Sequence, residues 1–127
     1  ANMKRANSGR IVLISSRASV GMKTRTSYSA TNAAQIALAR TWALELGEFG
    51  ITVNTVAPGP IQATEMFHEV VPKDSPMLSK MAEHVPVKRL CVPEDVANAV
   101  SFFLNVQSGV VTGQNLFVCG GTSIESG

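Results

Sequence analysis

Charge is scarce in this chain of 127 residues. Charged side chains make up 16% of it and apolar ones 45%, against roughly 25% charged in soluble globular domains. A chain so composed can bury enough surface to offset its ordering entropy, which excludes intrinsic disorder. Acid is missing altogether from residues 1–44, which hold seven basic groups (Lys4, Arg5, Arg10, Arg17, Lys23, Arg25 and Arg40), whereas residues 45–127 hold four basic and all nine acidic groups. Those bases form neither a cluster nor a helical stripe. Tyr28 is the only aromatic before Trp42, so the stacking platforms of an RNA-binding surface are lacking and no nucleic-acid partner is expected. Two cysteines, Cys91 and Cys119, stand 28 apart with no pairing motif, and nothing calls for an oxidising compartment. No run approaches the ~18 apolar residues of a membrane span. The run Ile11–Ile14 is far shorter than the core of a secretory leader. A cytoplasmic, soluble α/β domain without membrane contact is expected.

Several chemistries lack their residues. His68 and His84 are 16 apart and match no metal-ligand spacing with Cys91. No G-x-S-x-G elbow surrounds Ser15 or Ser16. Neither G-x-G-x-x-G nor a Walker loop occurs, so the 127 residues contain no phosphate cradle of their own.

What is present alternates in type. Ile11-Val-Leu-Ile-Ser15 reads as a strand buried on both faces. Thr26 or Ser27 is placed to cap a helix from about Tyr28 to Glu48, with Gly50 just past its end. Ile51–Ala57 reads as a second strand, ended by Pro58-Gly59-Pro60. Pro93-Glu94-Asp95 opens a second helix to about Asn105, and Asn115–Cys119 is a third strand. This order implies a parallel sheet with right-handed crossovers. Residues 61–90 break the rhythm and are too long for an ordinary connection, with short helices expected over Thr64–Val70 and Pro76–His84. The first helix is Ala- and Leu-rich nearly all round, the pattern of a helix covered on more than one side. Three strands and two helices cannot supply that cover, so the sequence reads as half of a larger unit.

Ligands of open parallel sheets bind at the carboxyl ends of the strands. Those ends are Ser15-Ser16, Pro58-Gly59 and Cys119-Gly120-Gly121. Tyr28 and Asn32, one turn apart on one helix face, stand at the same edge. Hydroxyls, a phenol, an amide and a Gly-Pro turn therefore converge in a set suited to a carbonyl or alcohol, with the phenol as proton donor.

Five segments, Gly9–Ser16, Tyr28–Ala34, Ile51–Gly59, Pro93–Ala97 and Val111–Gly121, together resemble the short-chain dehydrogenase/reductases in order and spacing. The resemblance implies an α/β, Rossmann-like parallel sheet, its carboxyl-terminal half only, with three strands, two main helices and one substrate-loop insertion. Residues 1–127 would be a partial domain of that family, with 61–90 as substrate or lid loop. It further implies NAD- or NADP-dependent interconversion of an alcohol and a carbonyl on a small-molecule substrate. Assembly would be as a homo-oligomer, or with an amino-terminal half, through residues 28–48. The family's glycine-rich dinucleotide loop has no counterpart in these residues, so weak binding of NAD or NADP by them alone is expected.

By the same resemblance Tyr28 would pass the proton and Ser16 would polarise the carbonyl. Ser15 is the rival: it lies 13 before Tyr28, the family's common spacing, while the strand motif selects the second serine, which is preferred. The family's lysine four residues after the tyrosine is Asn32 here. Asparagine can hydrogen-bond a ribose hydroxyl but brings no charge to favour the phenolate. Pro58 and Gly59 would line the nicotinamide, Ile61 would offer backbone groups to its carboxamide, and Thr64 a hydroxyl, one position later than usual. Met66, Phe67 and His68 fall where family members place a lid, or form an amphipathic turn on the domain; Cys119 reads as structural. A non-catalytic scaffold or oligomerisation fragment is the alternative.

Overall fold

The computed structural model describes residues 1–62, 64–69, 71–73 and 75–124. Three strands, β1 (Gly9–Ile14), β2 (Ile51–Pro58) and β3 (Asn115–Val118), form one parallel sheet in the order β1-β2-β3. Register runs from Gly9 opposite Ile51 to Ile14 opposite Val56, and from Thr55 opposite Asn115 to Pro58 opposite Val118. All eight residues of β2 are buried, as expected of a central strand covered on both faces.

Five α-helices surround the sheet among the described residues: α1 (Asn2–Ala6), α2 (Thr26–Leu46), α3 (Glu65–His68), α4 (Met77–His84) and α5 (Pro93–Leu104). The sequence does not announce α1, which has no side-chain cap and no buried residue. The long helix starts two residues earlier than its pattern suggests. Arg25 holds the N-cap position without a side-chain hydrogen bond, and Thr26 and Ser27 lie inside the helix rather than capping it. It ends at Leu46, and a 3₁₀ turn over Gly47–Phe49 leads to Gly50. Gly50 has φ +64°, and a Cβ there would stand 2.6 Å from the Asn7 carbonyl oxygen, so both backbone and space select glycine.

Side chains alternate across a strand, and here the alternation separates two cores. Ile11, Leu13, Ile51 and Val53 pack with Ala39, Trp42 and Ala43 of α2. Val12, Val56 and Val118 pack with Val96, Ala99 and Phe103 of α5. The helices thus cover opposite faces. Because the strands follow one another in a single direction, crossovers on opposite faces have opposite hands. One departs from the right-handed rule expected of both. The connection from β2 to α5 is long enough to pass round the edge, which removes the constraint a short crossover imposes.

That connection holds α3 and α4, close to the expected short helices; Val70 lies outside the described residues. Pro93 opens α5 as expected, and its capping comes from Asp95: the carboxylate accepts the Val92 N–H at 3.0 Å and both terminal nitrogens of Arg89 at 2.6 and 2.8 Å. Arg89 first, and then the Val92 N–H, hold the Asp95 carboxyl well below the usual carboxylate range. No helix among the described residues is long and apolar enough to cross a membrane. Gly50→Ala is expected to lower the unfolding free energy by more than about 1 kcal/mol, measured by denaturant titration against the parent chain.

Candidate functional site

The three strand ends and the first turns of α2 are joined by a short series of hydrogen bonds. Ser15 extends the ladder, its N–H donating to the Val56 carbonyl at 2.8 Å. Its hydroxyl donates to the Asn32 carbonyl, also at 2.8 Å, inside the protein. Asn32 is buried, and its amide Nδ2 donates to the Tyr28 carbonyl at 2.8 Å. The end of β1 is therefore tied to the turn that presents Tyr28, whose side of the helix stays open: Tyr28 is 46% exposed.

The two serines sit in different environments. Ser15 spends its hydroxyl on the helix backbone. Ser16 accepts the Ala18 N–H at 3.1 Å and so starts the 3₁₀ turn Arg17–Val20, whose Ala18 is fully buried. Ser16 and Tyr28 share no hydrogen bond among the described residues.

At the end of β2, the Gly59 N–H donates to the Val118 carbonyl at 2.9 Å. A Cβ on residue 59 would lie 3.0 Å from Cys119 Cα, so glycine here permits a close approach of two strand ends. Pro58 is buried at the last position of β2. Ile61 forms a parallel bridge with Cys91, and the Gln62 N–H donates to the Cys91 carbonyl at 2.8 Å. Thr64 caps α3: its hydroxyl donates to the Ile61 carbonyl at 3.2 Å and accepts the Phe67 N–H at 3.3 Å. That hydroxyl thereby ties the start of α3 to Ile61. His68 turns its Nδ1 to the Val71 carbonyl at 2.9 Å, and the side chain of Met66 lies outside the described residues.

Sequence reasoning passed over Arg17, Met22 and the α4 residues Met77, Lys80 and Met81. With Pro60 and their neighbours they line an open cavity of about 470 Å³. The signal for it was the methionine pair Met77 and Met81 one helical turn apart, with Met22 in the loop before α2. The two thiols differ as well. Burial pushes Cys91 up. Cys119 feels the same burial, but hydrogen bonds from Ser123, Thr122 and Gly121 outweigh it and leave the thiol below its usual value. Among the described residues no group of His, Cys, Asp or Glu is arranged to hold a metal ion.

A family model described as enoyl-(acyl carrier protein) reductase matches residues 1–123. A subunit of (2S)-[(R)-hydroxy(phenyl)methyl]succinyl-CoA dehydrogenase from Thauera aromatica is 45% identical over 119 residues, which are 94% of this chain and 46% of that protein. The 7alpha-hydroxysteroid dehydrogenase of Escherichia coli is 37% identical over 120 residues, again 94% of this chain and 46% of the relative. The chain spans about half the length of the curated relatives it matches. Among solved structures, an actinorhodin polyketide ketoreductase with NADPH superimposes with a TM-score of 0.87 at 30% identity, over 98% of this chain and 51% of that one. A 7 alpha-hydroxysteroid dehydrogenase complexed with NADH and 7-oxo glycochenodeoxycholic acid gives 0.84 at 38% identity, over 94% and 46%. Ser15→Ala is expected to cost about 1 kcal/mol of stability through the lost bond to Asn32, read from the denaturant midpoint.

Proposed function

The chain belongs to the short-chain dehydrogenase/reductase family, and from that premise we propose that its carboxyl edge is the catalytic edge of an NAD- or NADP-dependent oxidoreductase. The reaction is interconversion of an alcohol and a carbonyl on a small molecule. The observation that carries this reading is the half-exposed phenol of Tyr28, held beside the Ser15-Ser16 strand end through the Ser15–Asn32–Tyr28 bonds.

A nicotinamide group, when bound, supplies or accepts the hydride. The residues at the strand ends suit such a flat group: Gly59 adds no side chain to the edge, Pro58 ends β2 beside it, and Ile61 offers backbone. Thr64 serves as a positioning residue for Ile61, because its hydroxyl is already committed. Tyr28 moves the proton to or from the substrate oxygen. Ser16 supplies a hydroxyl toward the same oxygen, Ser15 being spent on the helix. Asn32 fixes the Tyr28 turn and leaves an amide oxygen to accept from a ribose hydroxyl.

One observation favours the second reading, a non-catalytic scaffold: position 32 carries no cation, and its amide donor is turned to the backbone. The proton-transfer reading expects Tyr28→Phe to lower turnover by roughly 10²–10⁴-fold and Asn32→Lys to raise it, since a nearby ammonium stabilises a phenolate. Steady-state assays at saturating nicotinamide cofactor check both. Turnover that Tyr28→Phe leaves unchanged would overturn Tyr28 as the proton donor, and a parent chain without turnover would leave the scaffold reading.

The same helix is the proposed contact for self-association. Ala30, Ala34, Ala37 and Leu38 are exposed along one side of α2, and Leu44 is 88% exposed beyond them. Small residues at this spacing allow close helix approach, and such a patch marks an interface. Light scattering is expected to find an associated species that Ala37→Glu dissociates; a monomeric parent at high concentration would overturn it.

A further inference from the structure

Resting on the oxidoreductase reading, we propose that the substrate is an apolar molecule bearing a carboxylate, and that Arg17 and Lys80 select for that charge. The cavity beside the carboxyl edge, about 470 Å³, lies within the range of small-molecule sites. It begins at Arg17, the residue after Ser16, and at Pro60, the residue after Gly59. Two of the residues that bound it thus follow closely on the ends of β1 and β2 in the chain.

The lining has two characters. Met22, Met77, Met81 and Leu90 make an apolar wall, and methionine thioethers adapt their shape to varied hydrocarbon bodies. The charged and ionisable groups on the lining are Arg17, Lys80 and His84, and no Asp or Glu is among the described residues that line it. Two cationic side chains and an imidazole around an apolar wall, with no acid among the described residues of the lining, favour an anion attached to a hydrophobic body.

Arg17 is pre-set for this role. Its Nε donates to the Thr122 carbonyl at 3.1 Å and its Nη1 to the Gly21 carbonyl at 3.4 Å. Two backbone acceptors thus fix the guanidinium plane, while Nη2 has no protein acceptor among the described residues. A guanidinium held in place loses little freedom on meeting a carboxylate. Lys80 is exposed on α4 and brings a second charge. His84, one turn further, commits its Nδ1 to the Lys80 carbonyl at 2.7 Å, which orients its ring.

The test titrates the 127-residue chain with 4-phenylbutanoate and, separately, with the uncharged 4-phenylbutanamide. Amide chemical shifts are followed by NMR at low ionic strength. The carboxylate is expected to bind about tenfold more tightly than the amide, with shifts at residues 17–22 and 77–85. Lys80→Gln, on the surface and outside the fold's core, should narrow that gap, as should added salt. Arg17→Gln should narrow it further, and Arg17→Lys should restore part of it. Equal affinities, binding of neither probe, or shifts confined elsewhere would overturn the proposal. The two readings fail separately. If the carboxylate is preferred as described but the parent chain shows no turnover with nicotinamide cofactor, the oxidoreductase reading falls and the anion site stands. If turnover depends on Tyr28 but the two probes bind alike, only the anion site falls.

Discussion

Burial of β2 on both faces and along both edges is the constraint from which the rest of the molecule follows. Ile51 and Val53 of that strand meet α2 and Val56 meets α5, while its backbone edges meet β1 and β3. The strand nevertheless carries Asn54, which is fully buried. Its amide is satisfied at both ends: Nδ2 donates to the Val111 carbonyl at 2.8 Å and Oδ1 accepts the Gln114 N–H at 3.0 Å. A buried amide left unpaired would cost about 1–3 kcal/mol, so these bonds discriminate strongly against a shifted β3. Thr112 adds a third clamp by accepting the Val53 N–H at 2.9 Å. The register that brings Gly59 against Cys119 is thus secured from inside the sheet.

The carboxyl edge inherits its precision from that register and its openness from a different source. Gly59 and Ser15 are placed by ladder bonds, whereas Tyr28 is placed by a helix whose first turn has no side-chain cap. The Asn32 amide ties that turn to the next, and the Ser15 hydroxyl ties the helix to the sheet. A lysine at position 32 would give up this internal bond in exchange for a charge. The asparagine therefore shifts the balance of the site from electrostatics toward rigidity.

Much of the fold was legible because its signals are strong and local. A run such as Ile11–Ile14, or Ile51–Ala57 between Gly50 and Pro58-Gly59, permits little except a buried strand, and Pro93-Glu94-Asp95 announces a helix start. The ends of α2 were less legible, since Thr26 and Ser27 look like caps but are helical in fact, and α1 has neither cap nor apolar stripe to reveal it. The crossover hand could not be read at all: it depends on which face each helix covers, and that is decided by packing across the whole sheet. At the site, position and residue type were legible for Tyr28, Asn32, Pro58 and Gly59. The commitment of the Thr64 hydroxyl and the separate environments of Ser15 and Ser16 were not, because hydrogen bonds to distant backbone leave no trace in spacing. Arg17 was visible only as one of seven scattered bases, and its fixing by Thr122, a residue 105 positions away, is a tertiary fact.

The opposite hands of the two crossovers bear on the order in which the molecule can assemble. Gly9 and Ile51 are 42 positions apart, while Thr55 and Asn115 are 60 apart, and the longer closure must also carry α3, α4 and α5 round to the other face. The entropic cost of the extra length alone is small. Pairing at such separation is slow, however, because little native contact rewards the chain until the strand has arrived. β1, α2 and β2 can come together as a nearer-neighbour unit, with the Ser15–Asn32–Tyr28 connection already inside it. The strand that closes the edge at Gly59 has the longer loop to close, so the turn that presents Tyr28 and the glycine edge opposite it belong to closures of different length.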